Sequence, residues 1–507
     1  MPTRNQVDEF KKKLLPAEIK SEDHLVTCNV RVVMKQTVES LLETNSICSS
    51  NQTFHVTAKF GLDGSGNHNY RHQIEGGENG AICSNYIASF WCPLRIEDRS
   101  GSVVWSNPTP NSTVYARPIT LVKAKETRDN IKLYFKDTLS DLKVAEVAPF
   151  ELSSGAKVFI NTQISMVDGK MVDILQGDSG AFCHYCKFNR SDANNLEYIN
   201  QGFTIEKNYE SILTTWRQLE SGEIAYNDPA RAGQCHEPMV EGTLRFFAIL
   251  HQKLRSLDWS LKILYHLVSN QTSTWSVSNH RVKSAVEAAR DKVIKEIRAS
   301  SGLLLDTVTD SGGNTNTGPV ADRFFGPKDR KNICSVIKNA DHREYYEMFL
   351  HKMNIFIAVS QQVGQIVDPI KVKELGYEIM CFVKDAFPFV MFVPSVHQML
   401  AHNWELFELT GGRSISEYSE QASESWNKYI RSYKSGVGCK ARQLSIKLNM
   451  LDIFTRIFIR THPFIADKKR FVSCGTCSKT GHTSRSCVLN SLMVDGEEEA
   501  AIKAFYV

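Results

Sequence analysis

The chain has 507 residues, 42% hydrophobic and 23% charged, with a formal net charge of +4. At roughly 150 residues per domain this predicts about three folded units, long enough to bury a core without disulfides. A membrane span is not expected, because the most apolar stretch, Tyr377 to Leu400, is interrupted by Lys384, Asp385, Pro388 and Pro394, and a span needs about 20 unbroken apolar residues.

The first residues, MPTRNQVDEFKKKLL, hold no apolar run of the signal-peptide kind, so secretion is not expected and sequons such as that at Asn111 read as chance. Thirteen cysteines, an odd number, then fit thiols and metal sites better than a disulfide scaffold. A charge of +4 is too small to argue for a nucleic-acid partner, so local clusters must carry that argument.

Residues 1–50 are polar and partly helical in pattern, with a basic Lys11-Lys12-Lys13 run. Phe54, Val56, Ala58 and Phe60 then alternate with polar partners, the period-2 signature of a half-buried strand. Further strands are predicted near Ile87–Leu94, Ser102–Trp105 and Tyr115–Val122, a helix over Glu126–Val144, and a strand through Val158, Ile160 and Ile164. This β-rich block ends near Gly177, and from about Glu206 the pattern is mostly helical. Val282, Val286, Ala289, Val293 and Ile297 mark an amphipathic helix. A loop follows from Thr309 to Pro319, dense in turn residues.

Three Cys/His groups have metal-ligand spacing. Cys474, Cys477, His482 and Cys487 are spaced C-x2-C-x4-H-x4-C, a zinc-knuckle pattern able to close a tetrahedral site, with Lys479 and Arg485 placed to flank a nucleic-acid strand. Cys183-x2-Cys186 supplies only two ligands, and alone it reads equally as a redox pair or two buried thiols. His397-x4-His402 puts two imidazoles near one helix face, although ordinary core histidines share that spacing. Together the two pairs compose a Cys2His2 site with no open position, hence a structural one.

The acidic candidates are less decided. Asp63 and Asp168 each end a predicted strand and each precede Gly, but Asp-Gly is also a common hairpin turn. A helix predicted over Ser416–Lys434 has an apolar stripe of Ile415, Tyr418, Ala422, Trp426, Tyr429 and Tyr433. Its Glu417, Glu420 and Glu424 form either a solvated face or a Mg²⁺ ligand followed by phosphate-binding Lys428 and Arg431, and periodicity does not choose among them. Gly177-Asp178-Ser179-Gly180 resembles a protease nucleophile loop, but the next residue is Ala181 and no matching histidine segment lies upstream.

Taken together these motifs resemble the Transib family of DNA transposases, related to the catalytic subunit of the V(D)J recombinase. The resemblance rests on Pro394-Ser-Val-His397-Gln-Met-Leu-Ala-His402 and on Ser419-Glu-Gln-Ala-Ser-Glu424-Ser-Trp-Asn427-Lys428. It also rests on Leu62-Asp63-Gly-Ser-Gly, on Val167-Asp168-Gly-Lys-Met-Val ahead of Cys183-x2-Cys186, and on Gly313 to Phe325. It selects Glu424 among the three glutamates, although this chain carries one extra residue between Glu420 and Glu424. Related sequences often have a basic residue where Asp322 stands here.

The resemblance implies an α/β RNase H-like catalytic core with a mixed sheet, split by a large, mostly helical zinc-binding insertion. A helical C-terminal region would carry the CCHC knuckle. The implied layout is an N-terminal DNA-binding or dimerisation region (1–52), the first part of the core (53–176), the Cys half of the insertion (177–265), its His half (266–404), and the Glu helix with the knuckle (405–507). A separate terminal-repeat-binding module is expected to be missing or abbreviated.

Asp63, Asp168 and Glu424 would be the catalytic ligands of two Mg²⁺ (or Mn²⁺) ions, and about two Zn²⁺ per chain are expected. The implied activity is cut-and-paste transposition: terminal inverted repeats are bound, DNA is cleaved through a flanking hairpin, and the excised ends join target DNA. A nuclear homodimer is implied, with DNA contacts from Arg323, Lys428, Arg431, Lys434, Lys440, Arg442, Lys479 and Arg485. The competing expectation is a domesticated recombinase-like or non-catalytic DNA-binding protein that requires a partner.

Overall fold

A computed structural model describes residues 3–47, 52–65, 85–180, 182–189, 192–240, 247–269, 280–308, 316–435, 446–466 and 496–507. In chain order the elements begin with α1 (Arg4–Lys13), β1 (Lys20–Ser21), β2 (Leu25–Thr27), α2 (Val30–Thr44), β3 (Thr53–Ser65), β4 (Tyr86–Asp98), β5 (Val103–Ser106) and β6 (Arg117–Val122). Then come α3 (Arg128–Val147), β7 (Phe150–Glu151), β8 (Lys157–Met166) and α4 (Gly169–Gln176). A helical stretch follows: α5 (Leu196–Gln201), α6 (Tyr209–Glu220), α7 (Ile249–Ser269), α8 (His280–Ser301), α9 (Gly318–Phe325), α10 (Pro327–Cys334), α11 (Ala340–Gln361), α12 (Pro369–Ala386) and α13 (Pro394–Leu409). The chain closes with α14 (Gln421–Ser435), α15 (Ile446–Arg460), α16 (Pro463–Ala466) and α17 (Gly496–Lys503).

The protein is mixed α/β and divides into two compact units. The first comprises Met1–Gly177, Pro238–Ala248 and Glu417–Phe471, and the second Asp178–Glu237, Ile249–Ser416 and Val472–Val507. The expected boundary between residues 265 and 266 falls inside α7, whose interior side chains Leu261, Ile263 and Leu264 are buried. A continuous buried helix cannot mark a domain edge.

The first unit is built on an eight-stranded mixed sheet in the order β1-β2-β6-β4-β3-β8-β7, with β5 on β4. The β3–β8 pair is parallel and the other pairs are antiparallel. Residues 1–52 are not a region apart, because β1 and β2 extend the sheet by pairing with β6. Asn29 caps α2 by accepting from the Arg31 and Val32 amides, and that helix buries Val33, Met34, Val38, Leu41 and Leu42.

Strand β3 departs from the half-buried expectation. Phe54, Val56, Ala58, Phe60 and Leu62 are buried on one face, but Lys59 and Asp63 on the other are buried too. Helix α14 covers that second face, where Trp426 stacks on Phe90 of the neighbouring β4 at 5.7 Å. Strand β8 slips register against β3 between Phe60 and Gly61, a bulge where the strands approach the acidic residues.

The second unit is mostly helical. Its core runs along α11 (Tyr346, Phe349, Leu350 and Met353), and the Trp259 indole of α7 donates to the Met391 carbonyl at 3.0 Å. Helices α12 and α13 touch at Gly376, where a Cβ would sit 2.1 Å from the Leu400 carbonyl oxygen, so only glycine permits this spacing. The loop expected to reach Pro319 ends earlier, since Gly318 and Pro319 already open α9, where a first-turn proline costs no hydrogen bond.

Within the second unit, the Glu497-Glu498-Glu499 run opens α17. Within α17, Glu498 is 1% exposed and meets Arg330 at 2.6 Å, His351 at 2.8 Å and Asn354 at 3.2 Å.

Candidate functional site

Two groups of chemically capable side chains stand out, one in each unit. In the first unit, Asp63 lies near the end of β3, 7% exposed, and accepts a hydrogen bond from Asn427 Nδ2 of α14 at 2.6 Å. Burial pushes its carboxyl well above the usual range, and the negative charges of Glu424, Asp168, Glu126 and Glu420 push it further. The charges of four further carboxylates therefore reach Asp63 near the end of β3.

Each arrives for a local reason. Asp168 ends the β8 excursion as the N-cap of α4, where its Oδ1 accepts from the Met171 amide at 2.8 Å. The same helix closes on Gly177 at φ +77°, a left-handed cap that suits glycine. Glu424 sits in the first turn of α14. Glu126 precedes α3 and packs so close to Gly64 that a Cβ there would meet its Oε2 at 2.8 Å. Burial raises the Glu126 carboxyl, as does Asp168, while an ion pair with Lys170 at 2.8 Å opposes the shift.

The helix expected over Ser416–Lys434 is in fact a 3-10 turn, Ile415–Tyr418, then a break, then α14. The break falls at Ser419, whose Oγ accepts from the Gln421 amide at 3.3 Å and whose carbonyl accepts from Lys59 Nζ at 2.9 Å. Glu417 and Glu420 thus lie outside the helix. Glu420 is 2% exposed, which overturns the solvated-face alternative for it. Burial lowers the Lys59 ammonium to about 8, against the opposing pull of Cys92, Glu420 and Glu417.

The second unit gathers Cys183, Cys186, His397 and His402, all buried, with one ligand atom from each within 4.8 Å of the others. This group could bind a metal such as zinc. Among the described residues it is the set of three or more such atoms that comes so close.

The imidazole nitrogens are disposed to ligate. His397 Nε2 lies 3.4 Å from Cys186 Sγ. His402 Nδ1 pairs with Glu405 at 2.8 Å, which leaves its buried Nε2 without a hydrogen-bond partner. A carboxylate on the far nitrogen orients a ligating imidazole and makes it more basic. The Tyr185 amide donates to Cys183 Sγ at 3.4 Å, and Phe203 packs edge-on to His397 at 4.5 Å, sealing the group from water.

Burial opposes ionisation of Cys183, but its contacts with Cys186, His402 and His397 outweigh that and hold the thiol well below its usual range. Its partner Cys186 is pushed up, first by its contact with Cys183 and then by burial. Burial pulls His402 down, yet Cys183 and Glu405 raise it to about 9. Without metal these contacts favour a thiolate at Cys183 beside a protonated His402.

The remaining expected residues divide. Lys428 is exposed. Arg323 is engaged within its own chain, with Nε on Asp329 at 2.9 Å and a terminal nitrogen on the Ser301 carbonyl at 3.1 Å. Neighbouring Asp322 pairs with Lys253 at 2.7 Å. The side chains of Arg431 and Lys434, and all of Lys440, Arg442, Lys479, Arg485 and the Cys474, Cys477, His482 and Cys487 set, lie outside the described residues. Asp178 of the protease-like loop forms a buried ion pair with Lys207 at 2.7 Å, a structural role that accounts for the motif.

No family model matches this chain, and no curated protein matches it. What fold and site define is a mixed α/β protein with a buried Cys2His2 group fit for a metal such as zinc. No helix among the described residues is long and apolar enough to cross a membrane.

Proposed function

We propose that this chain is a DNA transposase of the Transib type, with an RNase H-like core formed by the mixed sheet and α14. The observation that carries the reading is that Glu424 and Asp168, far apart in sequence, lie near enough to the buried Asp63 carboxyl for their negative charges to raise it. A buried carboxylate beside other carboxylates is costly unless a cation offsets the charge, and hard divalent ions prefer oxygen donors.

Asp63, Asp168 and Glu424 would hold two Mg²⁺ (or Mn²⁺) ions, which when bound supply charge stabilisation to both the attacking and the leaving oxygen of a phosphoryl transfer. Asn427 orients the Asp63 carboxylate from α14, and Lys170 holds Glu126 at the margin of the cluster. The Cys2His2 group would hold a structural Zn²⁺, and the 474–487 segment a second one as a knuckle. DNA carrying terminal inverted repeats, target DNA, a homodimeric assembly and a nuclear location belong to the same proposal. Exposed Lys428, one turn beyond Glu424, is suited to a backbone phosphate.

The test is incubation of purified protein with Mg²⁺ and a duplex bearing the element's terminal repeat, beside Asp63→Asn, Asp168→Asn and Glu424→Gln. Nicking followed by hairpin formation is expected in the wild type alone. Absence of nicking in the wild type, or equal nicking by the variants, defeats the assignment. Binding without cleavage by the wild type would instead favour a non-catalytic DNA-binding protein.

A further inference from the structure

Three contacts join β3 to α14 and its approach, and they share one spacing. Lys59 Nζ donates to the Ser419 carbonyl at 2.9 Å. A Cβ on Gly61 would lie 3.0 Å from Ser423 Oγ. Asp63 accepts from Asn427 at 2.6 Å. The strand residues advance by two and their partners by four. Along α14 the four residues from Ser423 to Asn427 rise about 6 Å, which matches the rise of about 6.6 Å from Gly61 to Asp63, and Ser419 continues the spacing just before the helix.

The three rungs fix which residues of α14 face the end of β3. Gly61 allows the approach, because a Cβ there would also strike the Met166 backbone oxygen at 2.4 Å. Asp63 belongs to the acidic cluster itself. Lys59 is the rung with no part in the cluster, and its whole side chain is buried. Its second acceptor, Asn111 Oδ1, is more distant at 3.5 Å.

We propose that Lys59 is a positioning residue that holds the Ser419 carbonyl and thereby sets the register of α14, placing Glu424 against Asp63 and Asp168. The inference rests on the metal-binding reading of that cluster. The groups that face Lys59 are Cys92 on β4 and Glu417 and Glu420 ahead of α14. An ammonium bonded to a carbonyl among partial negative charges serves as an anchor and touches no reacting atom.

Charge and position make opposite predictions. Removing a cation near a cation site should tighten metal binding if charge alone matters. Losing the register should weaken it. The experiment is Mn²⁺ titration of the full chain, followed by its electron paramagnetic resonance spectrum, for wild type, Asp63→Asn, Lys59→Met and Lys59→Arg.

A loss of about tenfold or more in Mn²⁺ affinity is expected in Lys59→Met, with an altered spectrum and substantial recovery in Lys59→Arg. Affinity equal to or tighter than wild type in Lys59→Met overturns the proposal. Lys59→Gln, an amide too short to reach the Ser419 carbonyl, serves where Lys59→Met does not fold, with the same expectation. Loss of the folded first unit in both variants would place Lys59 in core stability instead, and also overturns it.

If the wild type binds no Mn²⁺, or Asp63→Asn binds it equally, the metal reading fails by itself. Hydrogen exchange over residues 421–427 then decides the role of Lys59. Selective loss of protection there in Lys59→Met supports the anchor, and unchanged protection refutes it.

Discussion

Zinc uptake by the Cys2His2 group should release protons in a countable number. In the metal-free protein at neutral pH, His402 carries a proton because the Cys183 thiolate and Glu405 raise it to about 9 despite burial. Cys186 is pushed up by its neighbour and by burial, which favours its protonated form, while the lowered Cys183 favours the thiolate. A bound metal requires both sulfurs as thiolates and both imidazoles with a free nitrogen. About two protons should therefore leave per metal bound between pH 7 and about 8.5, and apparent affinity should rise about 100-fold per pH unit in that window. The assay is calorimetric titration of apo protein with Zn²⁺ in buffers of differing ionisation enthalpy, checked by competition with a chromophoric chelator. A proton count near zero, or an affinity flat across the window, refutes the assignment of one thiolate and one imidazolium. Cys183→Ser should abolish the tight site, and Co²⁺ should show thiolate charge-transfer absorption in the wild type alone.

Other outcomes follow from the same contacts. Asp63 has a folded-state value raised above its ordinary 3.8, so the folded protein binds a proton the unfolded chain releases, and stability falls as pH rises through that interval. Asp63→Asn should therefore melt higher than wild type at pH 7.5 without metal, with the gap closing below pH about 4. A lower melting temperature at pH 7.5 would contradict this. Gly61→Ala forces a Cβ to 2.4 Å from the Met166 backbone oxygen; a cost of about 3 kcal/mol, at the upper end for overpacking, should appear in denaturant unfolding. Glu498→Ala leaves the buried Arg330 without its carboxylate. Breaking such a pair costs about 3–5 kcal/mol locally, and hydrogen exchange over residues 496–507 should rise while α14 is unaffected.

The strands of the first unit were legible because apolar alternation survives in a single sequence: Phe54, Val56, Ala58 and Phe60 announce β3 directly. Burial of its opposite face was not legible, since Lys59 reads as a solvent-facing residue until α14, about 360 residues on, covers it. The Cys2His2 group was legible through valence, for a lone Cys183-x2-Cys186 needs two more ligands and His397-x4-His402 offers them. Glu126 was missed. It stands in no spacing motif and joins the acidic cluster only because Gly64 lets it approach. Glu420 falls with Glu417 and Glu424 in one charged segment, but helical periodicity does not reveal that the helix starts after it. The burial of Glu498 is equally invisible to local pattern, because its partners lie 168 and 147 residues earlier in the chain.

Metal bound at the Cys2His2 group would also change the topology of the second unit. Cys186 and His397 are 211 residues apart, so a metal there closes the intervening chain into a ring. By the chain-entropy relation used for cross-links, a ring of that size restricts the unfolded ensemble by about 5 kcal/mol at 25 °C. The ring also outlasts a cut. A protease nick between residues 187 and 396 would leave two fragments that bound metal helps hold together while the unit is folded. Chelator would then weaken their association, so the group acts as a reversible clasp between two parts of one chain.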